Sequence, residues 1–529
     1  MRATFSLVAC SALVVASLLP ACSSSTDEAS EPLTGDGAKL HKLPPLGAVK
    51  TTAERALIPK HAREDADATG NANPAVFANL PKYEQGGYGE RVEAPGEPSV
   101  ARTLDGTTPP APGPNAKRLL RFVHLADFQL ADDESPTRTG NTDNTDLFSS
   151  ALRPEEGEMC RMVNATVRTV NALHRADPVS FVLLGGDNAD SAQTNEVDWV
   201  LSILDGAESV ECDSGADDDP VAGPDNDGKD PFYAEGLAMP WKWVTGNHDV
   251  LVQGNFKVDA PRSATAVGDT SGLGTRDYAK GGIIENGSFV IPDPKRALLD
   301  RAALMAKVSG DHDGHGIGDA QKKSGKAFHT WDVEGTPIRF LVLDTGSETG
   351  GSEGMLHQAD VDAFVKPVLD DAKAKGKWVV LASHHAVDSL TIDGSTFGTK
   401  QPDAILPDAW KTFLGQYDNV LFSMVGHSHR FRVKPQQPPS GGGHAYWEVM
   451  TSAIADYPHA FRVVEIWDQD NGYVMMRATA VDLATDGDPV ATTGVRRGVI
   501  DFTSGWLPGS DRRGDAADRN VDLWIPKPK

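Results

Sequence analysis

Gly246-Asn247-His248-Asp249 closes an apolar run at residues 241–245, and this pairing of a strand-like run with a short polar tip recurs along the chain. Upstream, residues 119–126 run into Asp127-Phe128-Gln129, and residues 179–184 run into Gly185-Gly186-Asp187-Asn188-Ala189-Asp190. Downstream, residues 379–382 precede Ser383-His384-His385, and residues 420–425 precede Gly426-His427-Ser428-His429. Helical spacing fills the intervals. Residues 155–175 place Met159, Met162, Val163, Val167, Val170 and Leu173 on one face, and residues 197–204 and 357–375 repeat the pattern. Further strands are expected at 338–343 and 446–450. A closing hairpin is expected at 461–467 and 473–480, around Asp470-Asn471-Gly472. Strand, polar tip, helix, repeated, is the grammar of an α/β fold whose functional side chains sit at the carboxyl ends of strands.

A single Gly-Asp or His-x-His is common, but five such tips in this order resemble the signature of the calcineurin-like metallophosphoesterases, which hydrolyse phosphate esters with two metal ions. The resemblance spans roughly residues 119–483 and implies a four-layer sandwich of two mixed sheets face to face, with helices outside. Two ions about 3.5–4 Å apart need a shared anionic ligand. The resemblance assigns that bridge to Asp187, behind two glycines that allow the turn. It gives Asp127 and His429 to the first ion, and Asn247, His384 and His427 to the second. Iron, manganese and zinc are the candidate metals. His248 is expected over the phosphoryl group, as a charge stabiliser or proton donor, with Asp249 orienting its ring. Asp190 and His385 are expected behind the ligands.

One position departs from the family pattern. The first motif usually reads Asp-x-His, and here its third residue is Gln129, whose carbonyl oxygen is a weaker ligand than imidazole for transition metals. Three arrangements are open: Gln129 coordinates directly, Asp190 or Asp132 compensates, or the first site fills only with substrate. The expected activity is metal-dependent hydrolysis of a phosphate monoester or diester. The alternative, resting on Gln129, is a non-catalytic binding lipoprotein on a degenerate scaffold. No Gly-x-Ser-x-Gly elbow supports a serine hydrolase.

The chain of 529 residues carries 75 acidic and 50 basic side chains, a net charge of −25 that disfavours nucleic-acid partners. Residues 1–21 read as a lipoprotein signal: Arg2, an apolar run too short to span a bilayer, then Leu19-Pro20-Ala21-Cys22-Ser23. Acylation of Cys22 would anchor the protein to a membrane of the cell envelope without a transmembrane helix. Residues 22–116 read as a Pro- and Gly-rich tether, with 76–88 apolar enough to pack as a strap. Residues 117–485 form the expected phosphoesterase domain, and 486–529 an extension wrapped on it. Cys160 and Cys212 are read as a disulfide closing about 50 residues, two free thiols being the other reading. Residues 205–230, strongly acidic, are expected as a solvated loop. Residues 311–319 superficially resemble a calcium loop but lack its closing glutamate, so a turn is expected.

Overall fold

The computed structural model describes residues 40, 42–64, 72–146, 148, 150–215, 229–277, 282–310, 313–507 and 512–528. The expected leader, Cys22 and the start of the tether lie outside the described residues, as do 216–228 of the acidic segment.

Two mixed sheets form the centre. Their strands, in chain order, are β1 (Val100–Thr103), β2 (Lys117–Leu125), β3 (Val182–Leu184), β4 (Trp241–Lys242), β5 (His329–Asp332), β6 (Ile338–Val342), β7 (Trp378–Ala382), β8 (Val420–Val425), β9 (Arg432–Gln436), β10 (Tyr446–Met450), β11 (Ala460–Asp468), β12 (Tyr473–Asp482) and β13 (Val521–Pro526). One sheet runs β1-β13-β12-β11-β2-β3-β4, the other β5-β6-β7-β8-β10-β9. Strands β2, β3 and β4 are mutually parallel, and so are β6, β7, β8 and β10.

Side chains alternate across each strand and thereby build three apolar layers. From β2, Leu120 and Phe122 point into the layer between the sheets, where they meet Phe340, Val380 and Phe422. Val123 and Leu125 point the other way, toward helices α1 (Met159–Ala176), α2 (Thr194–Asp205) and α6 (Pro489–Thr503). Leu341, Leu381 and Val420 face α4 (Lys366–Ala374) and α5 (Pro407–Leu414) on the opposite outer side. A shorter helix, α3 (Arg301–Val308), adds Leu304 and Met305 to the first outer layer. The order helix, sheet, sheet, helix is the four-layer sandwich expected from the motifs.

Local differences from the sequence reading have physical causes. Helix α1 begins at Met159 rather than 155, because Glu156–Glu158 wind as a 3-10 turn. The helix expected at 357–375 widens into a π turn at Val361–Val365, just before Pro367, which has no N–H to donate to the preceding turn. Strand β4 is only two residues long, because the Trp243 N–H donates to the His315 carbonyl instead (3.0 Å). Part of the expected tether is regular structure. Arg55–Pro59 pairs with Arg91–Pro95, β1 is a sheet edge, and Leu80 and Tyr83 pack on Ile500 of α6. Flanking the undescribed acidic stretch, Ala207–Val210 pairs with Phe232–Ala234. At 313–319 there is a short turn whose His315 ring stacks on Trp241, centroids 3.3 Å apart. Cys160 and Cys212 are bonded across 52 residues of chain. Among the described residues, no helix is long and apolar enough to cross a membrane.

Candidate metal centre

Every strand that the motifs follow ends at the same edge of the sandwich, so the turns after β2, β3, β4, β7 and β8 converge there. These turns are tight. Asp127, Gln129, Asp187, His427 and His429 have φ of 55°, 40°, 54°, 73° and 52°, a region that non-glycine residues avoid. Backbone hydrogen bonds enforce the strained turns: Asp127 N–H to Gly186 O at 3.0 Å, and Gln129 N–H to Asp187 O at 2.8 Å. Glycine is required where loops touch. A Cβ on Gly246 would sit 2.0 Å from Asp187 Oδ1, and one on Gly186 2.7 Å from His384 Nδ1.

Asp249 holds this framework together. Its carboxylate accepts the N–H groups of Asp187, Asn188, Ala189 and Gly246 at 2.8–3.0 Å. It does not reach the His248 ring as the motif reading expected, because the backbone amides consume its acceptor capacity. Asp190 orients that ring instead, with His248 Nδ1 3.0 Å from its carboxylate and 2.8 Å from its carbonyl. Burial pushes Asp249 up to about 7, and the neighbouring charge of Asp187 adds to the rise.

Imidazoles ring the carboxylates, and each of two is fixed from behind. His384 Nδ1 lies 2.7 Å from the Gly185 carbonyl, leaving Nε2 3.0 Å from Asp187 Oδ2 and 3.9 Å from Asp127 Oδ1. His429 Nδ1 lies 2.5 Å from Asp456 Oδ2, leaving Nε2 3.3 Å from Asp127 Oδ1. Backing of this kind sets the tautomer that metal ligation needs. His427 N–H donates to Asp127 Oδ1 at 3.1 Å, and the His427 and His384 rings lie 5.2 Å apart. Asn247 donates its amide to Gly254 O at 3.0 Å, so its Oδ1 is free of protein donors. His385 has both ring nitrogens occupied, by Thr345 Oγ1 and Ser352 O at 2.9 Å each, and lies behind the cluster.

This donor set fits cations. Asp127, Asp187 and His384 offer ligand atoms within 4.8 Å of one another, and His384, His385 and His427 do likewise. Asn247 Oδ1 is buried without a hydrogen-bond partner, and His384 Nε2 faces the Asp187 carboxylate at 3.0 Å. Burial opposes protonation of His384, but the charge of Asp187 and the hydrogen bond to it lift this imidazole to about 9. Burial would raise Asp187, yet His384 and His248 hold it far below the usual carboxylate range. A proton on His384 thus neutralises charge that a metal would otherwise neutralise.

Gln129 is committed elsewhere. Its carbonyl oxygen accepts from Arg153 Nη2 at 2.5 Å, and its amide lies 3.4 Å from Asp187 Oδ2. Direct coordination by that carbonyl therefore competes with a buried guanidinium. Compensation by the two acids is also blocked. Asp190 is held by Arg138 Nη1 at 2.7 Å, and Asp132 by Arg296 Nε and Asn195 Nδ2, both at 2.8 Å. Arg153 and Asp456 are site residues that sequence reasoning missed. Arg153 Nε binds Asp456 Oδ1 at 2.6 Å, so one arginine supports both Gln129 and the anchor of His429. A cavity of about 300 Å³ opens over the centre, lined among others by Asn247, His248, His427, Phe148, Phe256 and Arg512.

A model of the family described as calcineurin-like phosphoesterase matches residues 120–431, more than half of the chain. Among solved structures, a dimetal phosphatase from Danio rerio aligns at 13% identity and a TM-score of 0.38, over 70% of this chain and 100% of that one. A purple acid phosphatase from yellow lupin (Lupinus luteus) seeds aligns at 10% identity and a TM-score of 0.28, over 74% and 54%. These likenesses are too distant to carry an argument about activity. No curated protein sequence matches the chain.

Proposed function

The chain belongs to the calcineurin-like phosphoesterase family and is a hydrolase of phosphoester bonds; on that premise we propose that its carboxylate–imidazole cradle holds two metal ions and cleaves a phosphate ester outside the cytoplasm. One observation carries the reading: His384 Nε2 and His429 Nε2 face Asp187 and Asp127 at 3.0 and 3.3 Å, each ring tied down at its other nitrogen. Asp127 and His429 would hold one ion, Asn247, His384 and His427 the other, with Asp187 between them. Such a pair supplies Lewis acidity toward phosphoryl oxygens and lowers the pKa of a water.

The chain's own groups do the rest. His248 lines the cavity and is held at Nδ1 by Asp190, an arrangement that favours a proton on the ring in the metal-free protein. Burial opposes that proton, but the charge of Asp187 and the Asp190 hydrogen bond raise the imidazole to about 9. It can therefore donate to the departing alkoxide. The Arg512 guanidinium, also at the cavity wall, suits phosphoryl oxygens by its planar fork. Phe148 and Phe256 give the leaving group an apolar surface, and the Phe397 ring lies 4.8 Å from that of Phe256.

The test is hydrolysis of p-nitrophenyl phosphate and its bis ester by protein loaded with Mn²⁺, Zn²⁺ or Fe. Turnover abolished by Asn247→Ala supports the enzyme. Protein that binds no metal and turns over no ester is instead the non-catalytic binding lipoprotein. Lipid anchoring at Cys22 belongs to the same proposal. It rests on the sequence of residues 1–25, and Cys22→Ala should release the protein from the membrane fraction.

A further inference from the structure

The C-terminal extension returns a cation to the cavity. Arg512, between α6 and β13, lies beyond the family match at residues 120–431, yet it lines the cavity together with Arg153, Asp187 and His248. Its neighbours in the chain fix its place. Arg513 Nη2 donates to Glu97 Oε1 at 3.1 Å. Gly514, at φ 68°, comes so close to the β8–β9 connection that a Cβ there would sit 1.9 Å from the Phe431 carbonyl. Phe431 follows His429 by two positions, so the backbone next to Arg512 is pressed against the turn that carries an expected metal ligand.

Arg512 lacks a full partner. Among the described residues its guanidinium makes no hydrogen bond, and its ion pair with Asp456 Oδ2 is long, at 3.8 Å. Asp456 is already occupied: Oδ1 accepts from Arg153 Nε at 2.6 Å, and Oδ2 lies 2.5 Å from His429 Nδ1. Arg153 Nη1 is likewise without a hydrogen bond, and Glu156 Oε1 approaches it only to 3.7 Å. Two guanidinium groups thus share one carboxylate at the cavity wall, and a guanidinium stays charged at any working pH. Arg512 is the more open of the two, its side chain 19% exposed against 2% for Arg153.

Monoesters and diesters differ in the feature that such a wall reads. At neutral pH a phosphate monoester carries nearly two negative charges on three unesterified oxygens. A diester carries one charge on two. The guanidinium fork binds a pair of charged oxygens bidentately, and a second ester bond removes one of them with its charge. The second substituent would also need space in a cavity of about 300 Å³, the small end of ligand pockets. We propose that Arg512, supported by Arg153, binds the unesterified phosphoryl oxygens of the substrate and makes the centre prefer phosphate monoesters to diesters. This preference rests on reading the cradle as a phosphoesterase centre. The extension then selects the ester, and the family-matched part of the chain cleaves it.

The test compares Arg512→Ala and Arg512→Lys with the wild type, as full-length Mn²⁺-loaded chains of equal metal content. Two quantities are read: kcat/KM on p-nitrophenyl phosphate and on its bis ester, and the affinity for inorganic phosphate by calorimetry. The wild type is expected to favour the monoester. Arg512→Ala should lower both the monoester value and the phosphate affinity about 10–100-fold, the range for hydrogen bonds to a charged group. The diester value should fall by less, so that the preference collapses. Arg512→Lys, which keeps the charge without the fork, should recover part of both losses. A wild type that favours the diester, an Arg512→Ala protein that loses both esters equally, or one with unchanged phosphate affinity overturns the proposal. If the wild type cleaves neither ester, the hydrolytic reading fails separately, and equal phosphate affinity of wild type and Arg512→Ala still refutes a role for Arg512. Should Arg512→Ala not fold, Arg512→Gln takes its place with the same outcomes.

Discussion

Arg153→Met keeps the bulk of a buried side chain and removes the charge that joins Gln129 to Asp456. In the wild type, Arg153 is 2% exposed and Asp456 0%, so neither can turn to water. Asp456 loses its 2.6 Å partner and retains His429 at 2.5 Å and the more distant Arg512 guanidinium at 3.8 Å. Gln129 loses the 2.5 Å donor on its carbonyl. Removing one member of a buried ion pair costs about 3–5 kcal/mol, because the other charge stays buried. Loss of an outer partner of a metal-binding imidazole typically weakens metal binding about 10–100-fold, and His429 would suffer that loss through a loosened Asp456. The assay is guanidinium unfolding of metal-free protein with the disulfide intact, run as a double-mutant cycle with Asp456→Asn. The expectation is a single-mutant cost near 4 kcal/mol and a double mutant that recovers most of it. A cost below about 1 kcal/mol, the level of an exposed pair, or no coupling between the two positions, would refute this account of the network.

Three further outcomes follow from the same geometry. The metal-free protein should bind Zn²⁺ more tightly as pH rises from about 6.5 to about 9, roughly tenfold per unit, because His384 must first release its proton. The sign is that of a raised imidazole: its contribution to the stability of the metal-free fold is full below about 6.5 and lost as pH passes about 9. Calorimetry in buffers of different ionisation enthalpy should show proton release on binding, and a pH-independent affinity would contradict the pairing with Asp187. Cys160→Ser with Cys212→Ser should cost about 4 kcal/mol through loss of the 52-residue cross-link, read as a lower denaturation midpoint that reductant does not lower further. Gly246→Ala should abolish metal binding, measured by metal content, since its Cβ would lie 2.0 Å from Asp187 Oδ1; normal content would mean that the loop can retreat.

The ligand positions were legible in the sequence because each follows an apolar strand, and a parallel strand delivers whatever follows it to one edge. Asp187 and His384 are 197 positions apart in number yet 3.0 Å apart in space for that reason. Sheet order was not legible from periodicity, since pairing β2 with β11 depends on partners more than 300 residues away. Arg153 and Asp456 carry no local signal either. Arg153 stands in an irregular segment before α1, and Asp456 in a loop before a proline. They meet only through tertiary folding, across 303 positions of chain. Asp190 took the role expected of Asp249 through backbone conformation: the turn after β3 directs three amides at Asp249 and the turn after β4 a fourth, and Asp190 is left beside the imidazole.

Anomalous diffraction from crystals of the metal-loaded protein tests the central claim most directly. Two peaks are expected on either side of the Asp187 carboxylate, about 3.5–4 Å apart, one against Asp127 and His429 and the other against Asn247, His384 and His427. A single peak, or none, at that carboxylate in fully loaded crystals would contradict the twin-ion account.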